Sequence, residues 1–195
     1  MSDGLYHLAL EVPVNAQDHS QGLESAPLTL VVYGDYQCPY TGSLYQVITR
    51  LQRQFGEKLR FVFRHFPQVG KHPLAQLAAE AAEAAGAQGK FWEMHAYLFQ
   101  KQFDFDRDSL AAGSDLLGLD FARLDREISG HVYMARIQAD IEDGRKSGVA
   151  GTPTLFINGF MYDGSDDFEP LSRYLETLVP KEMKTKKRPF WSGLK

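Results

Sequence analysis

One cysteine, Cys38, is all that 195 residues supply. It cannot close an intramolecular disulfide or furnish a multi-thiolate zinc site, so whatever the thiol does, it does without a second cysteine of its own chain. Long apolar runs are missing as well, and none approaches the roughly eighteen residues of a membrane span. The first residues, Met1-Ser2-Asp3-Gly4-Leu5-Tyr6-His7, offer no basic stretch leading into an apolar one. The expectation is a cytoplasmic protein with no membrane partner, in a compartment that keeps thiols reduced. Positive charge is not in excess either: 21 Lys and Arg face 25 Asp and Glu, for a formal net charge of -4. That balance argues against nucleic acid as a partner. What remains suffices for a core, since 44% hydrophobic and 12% aromatic residues exclude wholesale disorder. The length suits one domain, or one with a sizeable insertion, because single cores stop growing at about 250 residues.

Along the chain, Leu8, Leu10, Val12 and Val14 alternate with less apolar residues and predict a short edge strand, with Pro13 forbidding a central one. Asn15 to Pro27 reads as a polar loop. Leu28-Thr29-Leu30-Val31-Val32-Tyr33 is the kind of run found in strands buried on both faces. Past the turn Gly34-Asp35-Tyr36-Gln37 the period changes: Leu44, Val47, Ile48, Leu51 and Phe55 fall on one helical stripe that stops at Gly56. Leu59 to Phe63 is another strand. Helices are expected over Leu74–Ala87, Lys90–Lys101, Ser109–Leu119, Phe121–Ile128 and Tyr133–Lys146, with Asp108 and Asp120 as N-caps and Gly148 as a stop. Thr154–Ile157 and Phe160–Tyr162 flank Asn158-Gly159, a strong hairpin signal. A last helix runs from Asp167 to Val179. There is no internal repeat.

The order is thus a β-α-β half, a helical block and a β-β-α half. The two halves are the parts of an α/β thioredoxin-like fold with an inserted helical domain. The expected division is residues 1–66 and 150–180 for the thioredoxin-like domain, 67–149 for a helical cap and 181–195 for a loose basic tail.

A lone cysteine is most often a small buried hydrophobe. Cys38, however, follows a buried strand and precedes Pro39, which places it at a helix N-cap with proline at the first helical position. There the free N–H groups and the positive end of the helix dipole favour an anion. For a cysteine that anion is the thiolate, the nucleophilic form, which an ordinary thiol of pKa about 8.5 populates to only roughly 3% at pH 7. A reactive rather than structural cysteine is expected.

Four motifs then carry a resemblance. Cys38-Pro39-Tyr40-Thr41 after Val32-Tyr33-Gly34-Asp35-Tyr36, Phe63-Arg64-His65-Phe66-Pro67, Phe91-Trp92-Glu93-Met94-His95, and Gly151-Thr152-Pro153-Thr154 before Leu155-Phe156-Ile157-Asn158-Gly159 occur in order. Together they resemble the DsbA-like family of thiol-disulfide oxidoreductases across residues 15 to 179. The resemblance implies Cys38 as nucleophile at the first helix, Pro39 and Tyr40 within the active-site motif, Pro153 as a cis-proline, and the Thr152 backbone as the docking point for an extended substrate. The departure is Thr41, which stands where the family carries its second cysteine. Thr41 cannot resolve a mixed disulfide, although its hydroxyl can be expected to bond to the Cys38 thiolate. Release then needs an outside thiol, with glutathione as the expected co-substrate and a thiol- or disulfide-containing protein or small molecule as the partner.

No cofactor and no metal are expected. His65, His72 and His95 show no close ligand spacing, Gly34 and Gly42 make no phosphate loop, and Asp163 to Asp167 lacks calcium-loop spacing. His95 suits packing or the lining of a cleft. Tyr36, Tyr40 and Phe66 are candidates for an apolar substrate groove. Two other readings of the chain stay open: a peptide-binding module without redox turnover, and a kappa-type glutathione transferase or isomerase.

Overall fold

A computed structural model describes residues 8–184, and its centre is the apolar run that begins at Leu28. Strands β1 (His19–Gln21), β2 (Leu28–Gly34), β3 (Leu59–His65), β4 (Thr154–Ile157) and β5 (Phe160–Tyr162) form one sheet in the order β1-β3-β2-β4-β5. β2 and β3 run parallel, from Leu28 opposite Leu59 to Gly34 opposite His65. The other neighbouring pairs are antiparallel. The parallel pair needs a crossover, which α1 (Pro39–Phe55) and a short 3-10 turn, Gly56–Lys58, supply.

Alternation along β3 divides two cores. Phe61 and Phe63 join Leu30 and Val32 of β2, Leu44, Ile48 and Leu51 of α1, and Leu171 and Leu175 of α7 (Phe168–Leu178). Val62 faces the other way, with Val31, Tyr33, Phe156 and Val149, beneath α6 (Met134–Lys146). Between β3 and α6 come α2 (Ala75–Gly86), α3 (Phe91–Gln100), α4 (Arg107–Leu117) and α5 (Phe121–Ser129), which pack chiefly on one another. The buried alanines of α2, among them Ala78, Ala81, Ala82 and Ala85, keep that helix thin enough for α3 and α5 to lie close. Leu98, Leu110 and Leu124 join the same core as the first sheet face, so the apolar interior is continuous from sheet to helices. Within the segment 67–149, α6 packs on β3 and touches α2.

On the second face Arg64 is fully enclosed. It donates to Asp18 at 2.7 and 2.9 Å, to the Tyr33 hydroxyl at 2.9 Å, to the Val12 carbonyl at 3.0 Å and to Asp143. Burial alone raises the Asp18 carboxyl, but the Arg64 hydrogen bond and charge outweigh it and hold Asp18 below the usual range. The network ties the N-terminal segment, β2, β3 and α6 together, and removing one partner from such a buried pair costs about 3–5 kcal/mol.

Three expectations are corrected. The strand over Leu8–Val14 does not form: Ala9 makes an isolated bridge to Phe160, and the Glu11 and Val12 N–H groups donate to Ser147 Oγ and Asp143 Oδ1 of the α6 region. Leu10 N still donates to the Gly159 carbonyl, but with the Glu11 and Val12 donors taken by side chains the segment cannot continue the ladder. The edge strand is instead His19–Gln21, inside the expected loop and antiparallel to β3. Asp106, not Asp108, caps α4, through a reciprocal box with Ser109 at 2.8 and 2.7 Å. Asp120 does cap α5, accepting from Arg123 N at 2.9 Å. Asn158 and Gly159 both have positive φ, as the tight β4–β5 hairpin requires. Of the expected basic tail, Lys181–Lys184 form a short helix, α8, and residues 185–195 lie outside the described residues. Among the described residues no helix is long and apolar enough to cross a membrane.

Candidate active site

β2 ends at Gly34, and the turn that follows is organised by one carboxylate. Asp35 is buried; its Oδ1 accepts from Gln37 N at 2.8 Å, and its Oδ2 accepts from Gln68 N at 2.8 Å and pairs with His72 Nδ1 at 2.7 Å. The Asp35 carbonyl accepts from Cys38 N at 3.1 Å. Asp35 therefore fastens the turn before Cys38 to the loop after β3.

Cys38 is the N-cap of α1 in extended conformation, with Pro39 as first helical residue, as the sequence predicts. Its carbonyl accepts from Gly42 N at 3.1 Å and from Gln102 Nε2 at 2.6 Å. A Cβ at position 42 would come within 2.2 Å of the Gln102 amide. A side chain there would displace the Gln102 amide from its bond to the Cys38 carbonyl. The Cys38 thiol donates to the Thr152 carbonyl at 3.2 Å. The Thr152-Pro153 peptide bond is cis, as the resemblance implies. Gln68 spans both halves of the site, because its backbone N–H serves Asp35 while its side-chain amide donates to Thr152 Oγ1 at 3.3 Å.

The structure brings together Cys38, Pro39, Thr41, Thr152 and Pro153, with Tyr40 72% exposed beside them. Thr41 is buried, but its expected bond to the sulphur is not formed. Its hydroxyl accepts from Asp35 N at 3.5 Å, and no hydrogen bond joins it to Cys38 among the described residues. The side chain is drawn inward beside Gly34, where an added Cβ would lie 2.9 Å from the Thr41 methyl. Tyr36 is a core residue rather than a groove wall. Burial pushes its phenol pKa well up, and its hydroxyl is hydrogen-bonded to His95 Nδ1 at 2.9 Å. His95 is indeed a packing residue, 4.6 Å from the Phe63 ring, with its Nε2 buried and unpartnered. Phe66 is mostly buried and contributes to one wall of a groove of about 600 Å³, which also includes Gln68, Val69, Ile141, Arg145 and Ala150. That groove leads up to the Thr152 loop through Ala150 and Gln68.

Sequence reasoning missed Asp35, Gln68, His72 and Gln102 as site residues. The available signal was a carboxylate at the end of a buried strand; its partners lie 33 and 37 positions away. Among the described residues the one group with metal-type ligands, His19, His65 and Glu83, is built on β1, β3 and α2 and not around Cys38.

A family model described as thioredoxin matches residues 14–177. The chain is 41% identical over 173 residues to the Na(+)/H(+) antiporter NhaA 1 of Salinispora arenicola, a match that covers 88% of this chain and 26% of that protein. The chain spans about a quarter of the length of the curated relatives it matches. Among solved structures, oxidised BdbD from Bacillus subtilis superposes with a TM-score of 0.78 at 22% identity, covering 88% of this chain and 97% of the other. The thiol-disulfide exchange protein alpha-DsbA2 from Wolbachia pipientis gives 0.71 at 22% identity, with 85% and 89% covered. At these identities the superpositions show a shared fold. The match of the thioredoxin model to most of the chain, together with a cysteine at the head of α1 and a cis-proline loop against its sulphur, places this protein in the thioredoxin family, in the DsbA-like arrangement of that fold.

Proposed function

We propose that the protein performs thiol-disulfide exchange through Cys38 as its only nucleophile, with an outside thiol, glutathione, completing each cycle. One observation carries the reading: the Cys38 sulphur sits at the N-terminus of α1, 3.2 Å from the carbonyl that precedes cis-Pro153. The Cys38 thiolate attacks one sulphur of a substrate disulfide, forming a Cys38-substrate disulfide and expelling the other sulphur as a thiolate. Glutathione thiolate then attacks the substrate sulphur of that bond. Cys38 returns as thiolate, and the substrate leaves as a mixed disulfide with glutathione. On a glutathionylated substrate the same two steps release the substrate thiol and then oxidised glutathione. Both sequences balance without a bound cofactor.

The groove beside Thr152 offers an extended peptide a mixed surface of Val69, Ile141 and Arg145, which supports a protein substrate. Dependence on an outside thiol favours a reducing compartment, in keeping with a cytoplasmic location. The test is turnover on a glutathionylated peptide in the presence of reduced glutathione, expected for the native protein and lost in Cys38→Ser; no turnover by the native protein contradicts the reading.

A second reading has its own support. The curated relatives are antiporters of which a domain like this one makes up about a quarter, and Cys38 is only 3% exposed with Thr41 in place of a second cysteine. On that reading the groove docks a partner protein without redox turnover, and the partner is a membrane transporter. Partner binding undiminished in Cys38→Ser, with no covalent complex in the native protein, selects this alternative.

A further inference from the structure

Away from Cys38, three side chains from separate elements converge on one point. His19 of β1 stands opposite Phe63 of β3, so His19 and His65 are diagonal neighbours across the strand pair. α2 lays Glu83 against both. His19 Nε2 and His65 Nε2 each lie 2.9 Å from Glu83 Oε1, and the three ligand-type atoms all fall within 4.8 Å of one another. His65 and Glu83 are buried and His19 is partly exposed. The His19 ring stacks on Phe91 with centroids 3.4 Å apart, which fixes its plane. Burial raises the Glu83 carboxyl, yet the two imidazole hydrogen bonds outweigh it and hold the group well below the usual range. Glu83 is thus an enclosed carboxylate whose ion-pair partners, among the described residues, are imidazoles and not Lys or Arg. Beside it a groove of about 310 Å³, lined in part by His19, Ser20, Phe91 and Trp92, opens to solvent.

We infer that His19, His65 and Glu83 form a binding site for a zinc-like divalent metal ion, with water from the adjoining groove completing the coordination. Two imidazole nitrogens and one carboxylate oxygen suit zinc and its neighbours; calcium and magnesium require more oxygen ligands. Bond lengths of about 2.0–2.1 Å in a tetrahedral site place ligand atoms roughly 3.3 Å apart, so the present 2.9 Å contacts open by a few tenths of an ångström. Each imidazole now offers Nε2–H to the Glu83 carboxylate; on binding, the ion takes the place of that proton, leaving Nδ1–H on the ring and the Nε2 lone pair facing the metal. The ion replaces two hydrogen bonds with bonds to all three elements and pins the three-residue edge strand β1 to β3 and α2. Partial exposure of His19 on the groove wall gives the ion its path in.

The test uses the full chain, stripped by chelator, in a Cys38→Ser background so that the thiol takes no zinc. Titration with zinc chloride by calorimetry is expected to give one ion per chain and a saturable rise in the thermal unfolding midpoint, while calcium chloride gives neither. His19→Ala, at the solvent side of the cluster, is expected to weaken binding at least tenfold and to abolish the rise. Removing buried Glu83 puts the fold at risk, so the second readout is the imidazole nitrogen NMR of the otherwise unsubstituted protein. Zinc is expected to shift His19 and His65 and to leave His72 and His131 in place. No binding at about 100 μM zinc, binding unchanged in His19→Ala, or shifts confined to other histidines overturns the inference.

Discussion

The Cys38 thiol hydrogen donates to the Thr152 carbonyl at 3.2 Å, across 114 positions of sequence. A thiolate has no hydrogen to donate, so the attacking form proposed for Cys38 leaves that carbonyl free, at the head of a helix whose first N–H groups favour an anion. An extended substrate brings an N–H that can take the same carbonyl. On the proposed function, docking and attack therefore share one acceptor.

Cys38→Ser separates structure from chemistry here. A serine hydroxyl can keep the bond to Thr152, so the loss of unfolding free energy in urea is expected not to exceed about 1–2 kcal/mol at this buried position. Trapping of mixed disulfides, read on non-reducing gels, is expected to vanish. A loss of several kcal/mol contradicts the geometry assigned to the site.

Asp35 accepts from two backbone N–H groups and pairs with His72, all while enclosed. Asp35→Ala strands those donors, and the expected cost in urea unfolding is about 2–4 kcal/mol. Amide exchange at Gln68 is expected to speed up more than exchange in α5, because Gln68 loses its acceptor directly. Equal acceleration at both places contradicts a local fastening role.

Thr41→Cys tests whether one position decides the need for an outside thiol. The variant is expected to close an internal disulfide with Cys38 on oxidation, to shorten the lifetime of mixed disulfides and to release substrate without glutathione. Unchanged dependence on glutathione, read by stopped-flow mixing with a labelled disulfide peptide, contradicts the single-thiol account.

His95 couples the core to pH. Burial first, and then the charges of His65 and His19, push its pKa well below the ordinary 6.5, with Tyr36 and Tyr45 facing its ring. The unfolded chain therefore takes up a proton near pH 6.5 that the folded chain refuses. The contribution to stability is present above that pH and lost as pH falls, with a limiting slope of about 1.4 kcal/mol per pH unit for one proton. In His95→Gln, which keeps an acceptor for Tyr36, the slope of unfolding free energy between pH 6.5 and 5 is expected to fall by up to that amount. Parallel curves for the two proteins contradict it.

The elements legible from sequence are those whose burial imposes a period. β2 and β3 are covered on both faces and show as apolar runs, and Asn158-Gly159 announces the β4–β5 hairpin. β1 is His-Ser-Gln at a sheet edge, with no apolar alternation to reveal it, while the alternating residues before it give their N–H groups to Ser147 and Asp143. In the site, the N-cap position of Cys38 and the Thr152-Pro153 loop were legible because local motifs mark them. The inward turn of Thr41 was not, since it depends on the absence of a side chain at Gly34 across the β2–α1 junction. The convergence on Asp35 was equally hidden, because Gln68 and His72 reach it only after β3 has folded back beside β2.

Intact-mass analysis of the folded protein after incubation with oxidised glutathione tests the central claim most directly. The account predicts one glutathione adduct, located on Cys38 and removed by reduced glutathione. A Cys38 that stays unmodified in the folded chain while the urea-unfolded chain reacts contradicts it.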